Sequence, residues 1–201
     1  MKVEQFSIGI ISTNCYLVCN EETKEIVIID PGACPKYLLS HIKTEGYIPQ
    51  AILLTHGHFD HIMGIDGFLE QYEIPVYVYE EEQALIADSR LNESSVYGSG
   101  YAYTKAISIK DGEILNIAGI EFQVLYTPGH TSGCCCYYVA EAHTVFSGDT
   151  LFYGSVGRTD FPTSNTADIY KSIHEKLFIL PEDTIVYPGH MGATTIGNEK
   201  K

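Results

Sequence analysis

Apolar residues gather along this chain in short runs, and most runs are closed by glycine, proline or a polar turn residue. Ala51-Ile52-Leu53-Leu54 predicts a buried strand, because a short continuous apolar run bounded by turn residues suits a strand covered on both faces. Lys24–Asp30 predicts another through Ile26-Val27-Ile28-Ile29, and Asp30-Pro31-Gly32 stops it, since proline removes a donor and glycine permits positive φ. Two short strands precede it, near Val3–Phe6 and Cys15–Cys19, with Thr13-Asn14 at the turn. Further along, Ile120, Phe122, Val124 and Tyr126 alternate with Glu121 and Gln123, the period of a strand with one buried face. Glu113–Ile117 pairs with it across Ala118-Gly119. Cys134–Ala140 and His143–Ser147 form the next pair, stopped by Gly148-Asp149, while Pro75–Tyr79 and Thr184–Tyr187 are single strands.

Helical spacing appears between the strands. Tyr37–Thr44 carries Tyr37, Leu38 and Ile42 on one face and ends at Gly46; Ile62–Tyr72 carries Ile62, Ile65, Phe68 and Leu69. Glu80–Ala87 predicts an acidic helix with one solvated face. Ala167–Phe178 places Ile169, Ile173 and Leu177 at successive i, i+4 positions behind the capping Asn165. Asn92–Tyr103, rich in Ser, Gly and Tyr, has no period and predicts a long loop of the functional or mobile kind. Interleaved strands and helices predict an α/β chain with two packed sheets flanked by helices. No linker, repeat or charge block interrupts the 201 residues, so one domain over 1–201 is expected.

The strand ends have a chemical consequence. Four of them deliver a ligand-type residue: His56, His130, Asp149 and His190. The stretch Thr55-His56-Gly57-His58-Phe59-Asp60-His61 adds His58, Asp60 and His61 within a few positions. Residues two apart on an extended backbone point the same way, so His56 and His58 can aim at one ion, while Asp60 and His61 follow the turn and point elsewhere. A tetrahedral ion takes about four ligands, so this many His and Asp side chains favour two ions side by side. A solvated surface turn is the plain alternative, and it suits one histidine better than four ligand-type residues directly after a buried strand.

Composition narrows the partners. Twenty-six acidic against 12 basic residues give a net charge of −14, which repels phosphate backbones and anionic membranes. No apolar run approaches the ~20 residues of a membrane span. An acidic residue at position 4 and a short apolar run do not make a signal peptide, so a cytoplasmic location is expected, with six cysteines as free thiols.

The motifs Thr55–His61, Thr127-Pro128-Gly129-His130-Thr131, Phe146-Ser147-Gly148-Asp149-Thr150 and Tyr187-Pro188-Gly189-His190, with Leu151–Asp160, resemble those of the metallo-β-lactamase-fold hydrolases. Within that group they are similar to the glyoxalase II-like (hydroxyacylglutathione hydrolase-like) branch. The resemblance implies a four-layer αββα sandwich of two mixed sheets flanked by helices. It implies two divalent ions, zinc foremost, with iron or manganese as alternatives. His56, His58 and His130 would hold the first, Asp60, His61 and His190 the second, and Asp149 would bridge both. A hydroxide between the ions would attack an activated carbonyl, in the first instance a thioester of the S-lactoylglutathione type, with Asp60 and Asp149 as the catalytic carboxylates. True lactamases of the fold usually carry cysteine where Asp149 stands, which disfavours lactams. Eleven residues follow His190, too few for the C-terminal helical domain with which full-length glyoxalase II grips glutathione.

Arg158 either binds a substrate carboxylate or ties its loop through Asp160. His41, His143 and His174 lie outside the ligand turns and read as ordinary packed or surface residues; Cys134-Cys135-Cys136 reads as strand packing. Tyr97, Tyr101 and Tyr103 could line a pocket. Two other functions remain open from sequence. One is a persulfide dioxygenase with a single iron at His56, His130 and Asp149. The other is a non-catalytic, metal-stabilised module.

Overall fold

The computed structural model describes residues 1–201. The first half runs β1 (Lys2–Ile8), β2 (Thr13–Cys19), β3 (Glu25–Ile29), α1 (Lys36–Glu45), β4 (Ile48–Leu53), α2 (Phe59–Ile62), α3 (Ile65–Leu69), β5 (Val76–Tyr79), α4 (Gln83–Ile86), α5 (Ser94–Tyr97) and β6 (Ile107–Ile109). The second half runs β7 (Ile114–Ile117), β8 (Ile120–Tyr126), β9 (Cys135–Val139), β10 (Thr144–Gly148), β11 (Leu151–Phe152), β12 (Ser155–Val156), α6 (Thr166–Ser172), β13 (Ile185–Pro188), β14 (Thr194–Thr195) and α7 (Ile196–Glu199).

Each half builds one mixed sheet. The first has the order β1-β2-β3-β4-β5-β6, antiparallel as far as β3 and parallel beyond it. The second has the order β14-β13-β10-β9-β8-β7, with β10 and β13 parallel and the other pairs antiparallel. Alternation along the strands assembles the layers. Tyr16, Val18, Val27, Ile29 and Leu53 point inward and meet Phe122, Val124, Tyr137 and Phe146 of the other sheet. Leu17, Ile26, Ile28 and Ile52 point outward under Leu38, Ile42, Ile65 and Phe68 of the helices. On the far side, Cys136, Val145 and Val186 lie under Ile169, Ile173 and Leu177. This is the four-layer αββα sandwich, and two cysteines of the triplet serve it as strand packing, Cys135 facing inward and Cys136 outward, while Cys134 precedes β9 and sets its Sγ against Thr131.

Several elements depart from the sequence reading. The helix expected over Ile62–Tyr72 starts earlier and breaks at Met63-Gly64, because the Gly64 N–H bonds the Pro31 carbonyl at 2.7 Å and the backbone of Pro31 and Ala33 fills the space of a side chain there. The helix over Glu80–Ala87 opens as a 3₁₀ turn, and Glu82, expected on a solvated face, is buried. The Asn92–Tyr103 loop contains α5, pinned by Ser94 and Asn92 side chains to the Tyr101 carbonyl. The helix from Asn165 widens into a π turn at Ile173–Leu177, with Asn165 capping the Ala167 and Asp168 N–H groups. β6, the β11–β12 hairpin, β14 and α7 are additional; each is four residues or fewer, too short to carry a period. No helix is long and apolar enough to cross a membrane.

Candidate metal centre

The two sheets are stitched together where their strands end. Asn14 donates its backbone N–H to the Gly189 carbonyl at 2.8 Å and its amide to Pro188 at 3.0 Å. Tyr137 donates its hydroxyl to the Leu54 carbonyl at 2.8 Å, and the Cys135 N–H bonds Thr55 at 2.9 Å. This seam gathers the seven candidate ligands. His56 follows β4, His58 precedes α2, Asp60 and His61 lie in α2, His130 follows β8, Asp149 follows β10 and His190 follows β13. Parallel pairing of β10 with β13 puts Asp149 and His190 at the same sheet end.

Three trios of ligand atoms form there, each with its atoms within 4.8 Å of one another: Asp30, His56 and His61 share a histidine with each of the other two, which are His56, His58 and His130 in one and Asp60, His61 and His190 in the other. Asp149 lies between them: Oδ1 is 3.4 Å from His61 Nε2, and Oδ2 is 3.6 Å from both His130 Nε2 and His190 Nε2. His58 Nδ1 and His130 Nε2 face each other at 2.8 Å. His56 Nε2, His61 Nε2 and Asp149 Oδ1 are buried without any hydrogen-bond partner. Buried polar atoms are nearly always satisfied, so a cluster of unsatisfied imidazole and carboxylate atoms fits divalent cations. Glycine makes room for them, because a Cβ at Gly189 would strike Asp149 Oδ1 and His61 Cε1.

The outer nitrogens of the imidazoles are held. His61 Nδ1 lies 2.9 Å from Asp30 Oδ2, His130 Nδ1 2.8 Å from the Arg158 carbonyl, and His56 Nδ1 3.2 Å from the Thr55 hydroxyl. An acceptor on one ring nitrogen keeps the proton there and frees the other nitrogen to ligate. Thr13 donates its hydroxyl to Asp60 Oδ2 at 2.5 Å, fixing that carboxylate.

Electrostatics separates the trios. Burial lowers the pKa of His56 well below the ordinary imidazole value, lowers His130, and takes His58 down to about 3, so the first trio is neutral and ready to coordinate. In the second, burial opposes the charge on His61, but Asp60, Asp30 and Asp149 together raise it well above the usual range. Burial likewise works against His190, and the hydrogen bond to Asp60 overrides it. Burial would raise Asp60 and Asp149, yet the positive charge of His61 holds both down. The carboxylates thus create a field that favours positive charge in the second trio.

A cavity of about 360 Å³ opens over the centre, lined by His58, Asp60, His130, Asp149 and His190 at its base and by Phe59, Tyr97, Phe152 and Phe161 on its walls. Arg158 sits at its mouth, paired in a fork with Asp160 at 2.9 and 2.7 Å and lying 4.6 Å over the Phe161 ring. Tyr97 lines the cavity, whereas Tyr101 and Tyr103 pack into the outer core. His41 pairs with Glu4, His143 with Asp183, and His174 lies edge-on to Phe178, all away from the centre.

Three supporting residues escaped the sequence reading. Asp30 read as a strand stop, although it follows an apolar strand as the ligands do, and that signal could have marked it. Thr13 read as a turn residue. Glu82 read as solvated, because Glu80-Glu81-Glu82 looks like an exposed acidic run.

The model of the metallo-beta-lactamase superfamily matches residues 8–190. A Bacillus subtilis protein described as a probable metallo-hydrolase, YqgX, is 40% identical over all of this chain and 95% of its own length. A Haemophilus influenzae protein described as the hydroxyacylglutathione hydrolase GloC is 32% identical over all of this chain and 96% of its own. Among solved structures, that of BLEG-1, named a B3 metallo-beta-lactamase, superposes with a TM-score of 0.93 at 40% identity, covering 98% of this chain and 96% of that one. TTHA1623, solved in a di-iron-bound form, has a TM-score of 0.88 at 37% identity, covering 98% and 97%.

Proposed function

The chain belongs to the metallo-beta-lactamase superfamily, and from that premise we propose that it hydrolyses thioesters with two divalent metal ions, in the manner its likeness to GloC suggests. The observation that carries this reading is the cluster of buried atoms without a hydrogen-bond partner, His56 Nε2, His61 Nε2 and Asp149 Oδ1, among ligand residues of which His58, Asp60, His130, Asp149 and His190 line an open cavity. His56, His58 and His130 would hold one ion, Asp60, His61 and His190 the other, with Asp149 shared. Bound there, the ions would supply a water that is nucleophilic at neutral pH and a positive field for the developing oxyanion. Zinc suits the His-rich donor set, and the di-iron form of TTHA1623 keeps iron in view.

The chain's own residues do the rest. Asp60, steered by the Thr13 hydroxyl, orients the attacking water. The aromatic walls exclude bulk water and hold the acyl group over the trios. Arg158 at the mouth offers a guanidinium to a carboxylate on the substrate when Asp160 yields it. A second full trio beside the first supports two ions over the single iron of a persulfide dioxygenase. An open cavity over the ligands supports catalysis over a closed structural site. Lactam hydrolysis is the second reading, favoured by the 40% identity to BLEG-1.

The test is a chelated, metal-free preparation assayed against small thioesters, S-lactoylglutathione and a chromogenic cephalosporin, with oxygen uptake on glutathione persulfide as a further arm. Thioester turnover should vanish on chelation and return with zinc, manganese or iron. Turnover that survives chelation, or oxygen uptake in place of hydrolysis, refutes the reading.

A further inference from the structure

Glu82 is fully buried, while its neighbours Glu80 and Glu81 are exposed. Its Oε1 accepts the Gly57 N–H at 2.9 Å and the Thr131 hydroxyl at 2.9 Å, and Oε2 receives the same hydroxyl at 3.0 Å. Gly133 closes the other side, where a Cβ would collide with Oε2. Gly57 stands between His56 and His58, and Thr131 follows His130 directly. One carboxylate therefore sits a single residue away from all three members of the first trio, across a chain separation of 72 residues between His58 and His130.

We infer that Glu82 is a positioning residue for metal binding: it locks the loop of His56 and His58 to the loop of His130, so that three imidazoles from two sheets meet at one point. The inference rests on the reading of that trio as metal ligands. No lysine or arginine pairs with Glu82, and a buried carboxylate without a cation is costly compared with an apolar side chain of the same volume. Burial accordingly pushes its carboxyl up to about 7, against the pull of the Gly57, Thr131 and Gly133 donors. A fold that needed only to fill this space would be better served by leucine or methionine. What the ionised Glu82 adds, at and above neutral pH, is two acceptor oxygens at fixed separation. An isosteric glutamine replaces one of these with a donor, which must then face either the Gly57 N–H or the Thr131 and Gly133 side.

The experiment measures zinc affinity by chelator competition in the wild type, Glu82→Gln and, as a destabilised comparator remote from the site, Leu177→Ala, with the visible spectrum of cobalt-loaded protein as a second readout. Supporting partners of metal ligands typically contribute 10- to 100-fold in affinity. Glu82→Gln should therefore weaken one of the two bound ions by about 10-fold or more and alter the cobalt bands, while Leu177→Ala keeps wild-type affinity and spectrum. An affinity within twofold of wild type in Glu82→Gln overturns the inference, as does an equal loss in Leu177→Ala, which would mark a general effect of instability. A wild-type protein that binds no ion would instead overturn the metal reading itself.

Discussion

Replacing Asp30 by asparagine tests the centre at the level of a single proton. Asp30 Oδ1 accepts the Thr55 N–H at 2.8 Å; Oδ2 accepts the Thr55 hydroxyl at 2.6 Å and faces His61 Nδ1 at 2.9 Å. Asp30 has a positive φ of 51°, a conformation asparagine tolerates, so the substitution adds little backbone strain. The amide has two orientations. With its oxygen in the Oδ2 place, the NH₂ meets the Thr55 N–H, and that buried donor is left unsatisfied at a cost of about 1–3 kcal/mol. With its oxygen in the Oδ1 place, the NH₂ donates to His61 Nδ1. A neutral, ligating His61 would then carry its proton on Nε2, the nitrogen that would bind the second ion. In a chain of this size the first outcome lowers Tm by about 2–4 °C per kcal/mol. The second removes a ligand and weakens that ion by about 10–100-fold. Thermal denaturation with and without zinc, together with metal counting per chain, distinguishes them. An Asp30→Asn protein with wild-type Tm and two tightly held ions would show that His61 is not oriented in this way.

Asp149→Asn, which keeps the volume and removes the charge shared between the trios, should lower the metal content measured by elemental analysis from two ions per chain and reduce thioester turnover by about 100-fold or more. Two retained ions would remove Asp149 from the site. Arg158→Lys should leave metal content unchanged, because the backbone carbonyl of residue 158 holds His130, and should raise KM several-fold for substrates bearing a carboxylate; an unchanged KM would leave Arg158 only its loop-tying role with Asp160. In metal-free protein, Glu82 gives a pH signature. Its carboxyl lies at about 7 when folded and near 4.5 when free, so the folded state binds more protons between those values and its stability falls as pH rises through them. The Tm difference between Glu82→Gln and wild type should therefore grow more positive from pH 4.5 to 7, whereas parallel Tm profiles would contradict the burial argument.

The sequence revealed most where local pattern and burial coincide. Ile26–Ile29 and Ala51–Leu53 are strands whose continuous apolar runs imply cover on both faces, and the alternation of Ile120–Tyr126 implies a strand with one buried face. The seven ligand candidates were readable because His56, His130, Asp149 and His190 stand in the turns that close strands, and His58, Asp60 and His61 crowd behind His56 within five residues. What stayed hidden depends on partners distant in the chain. Glu82 is defined by Gly57 and Thr131, and nothing in Glu80-Glu81-Glu82 separates the buried carboxylate from the solvated ones. The break in the helix after His61 is caused by the Pro31 carbonyl, thirty-odd residues upstream, which captures Gly64. β6 and the β11–β12 hairpin exist because a longer neighbour offers its edge or a turn folds them back, not because of any preference in three or two residues.

The first sheet is drawn wholly from residues before 110 and the second wholly from residues after it, yet two trios span that divide: His56 and His58 with His130, Asp60 and His61 with His190. A cation seated in either trio is therefore a rivet between the two halves of the polypeptide. Ions that bind only the closed sandwich stabilise it by about 4 kcal/mol at a thousandfold excess over their dissociation constant. A centre that would cleave a substrate would then also hold the two halves of the polypeptide together, so its ions would serve stability as well as chemistry.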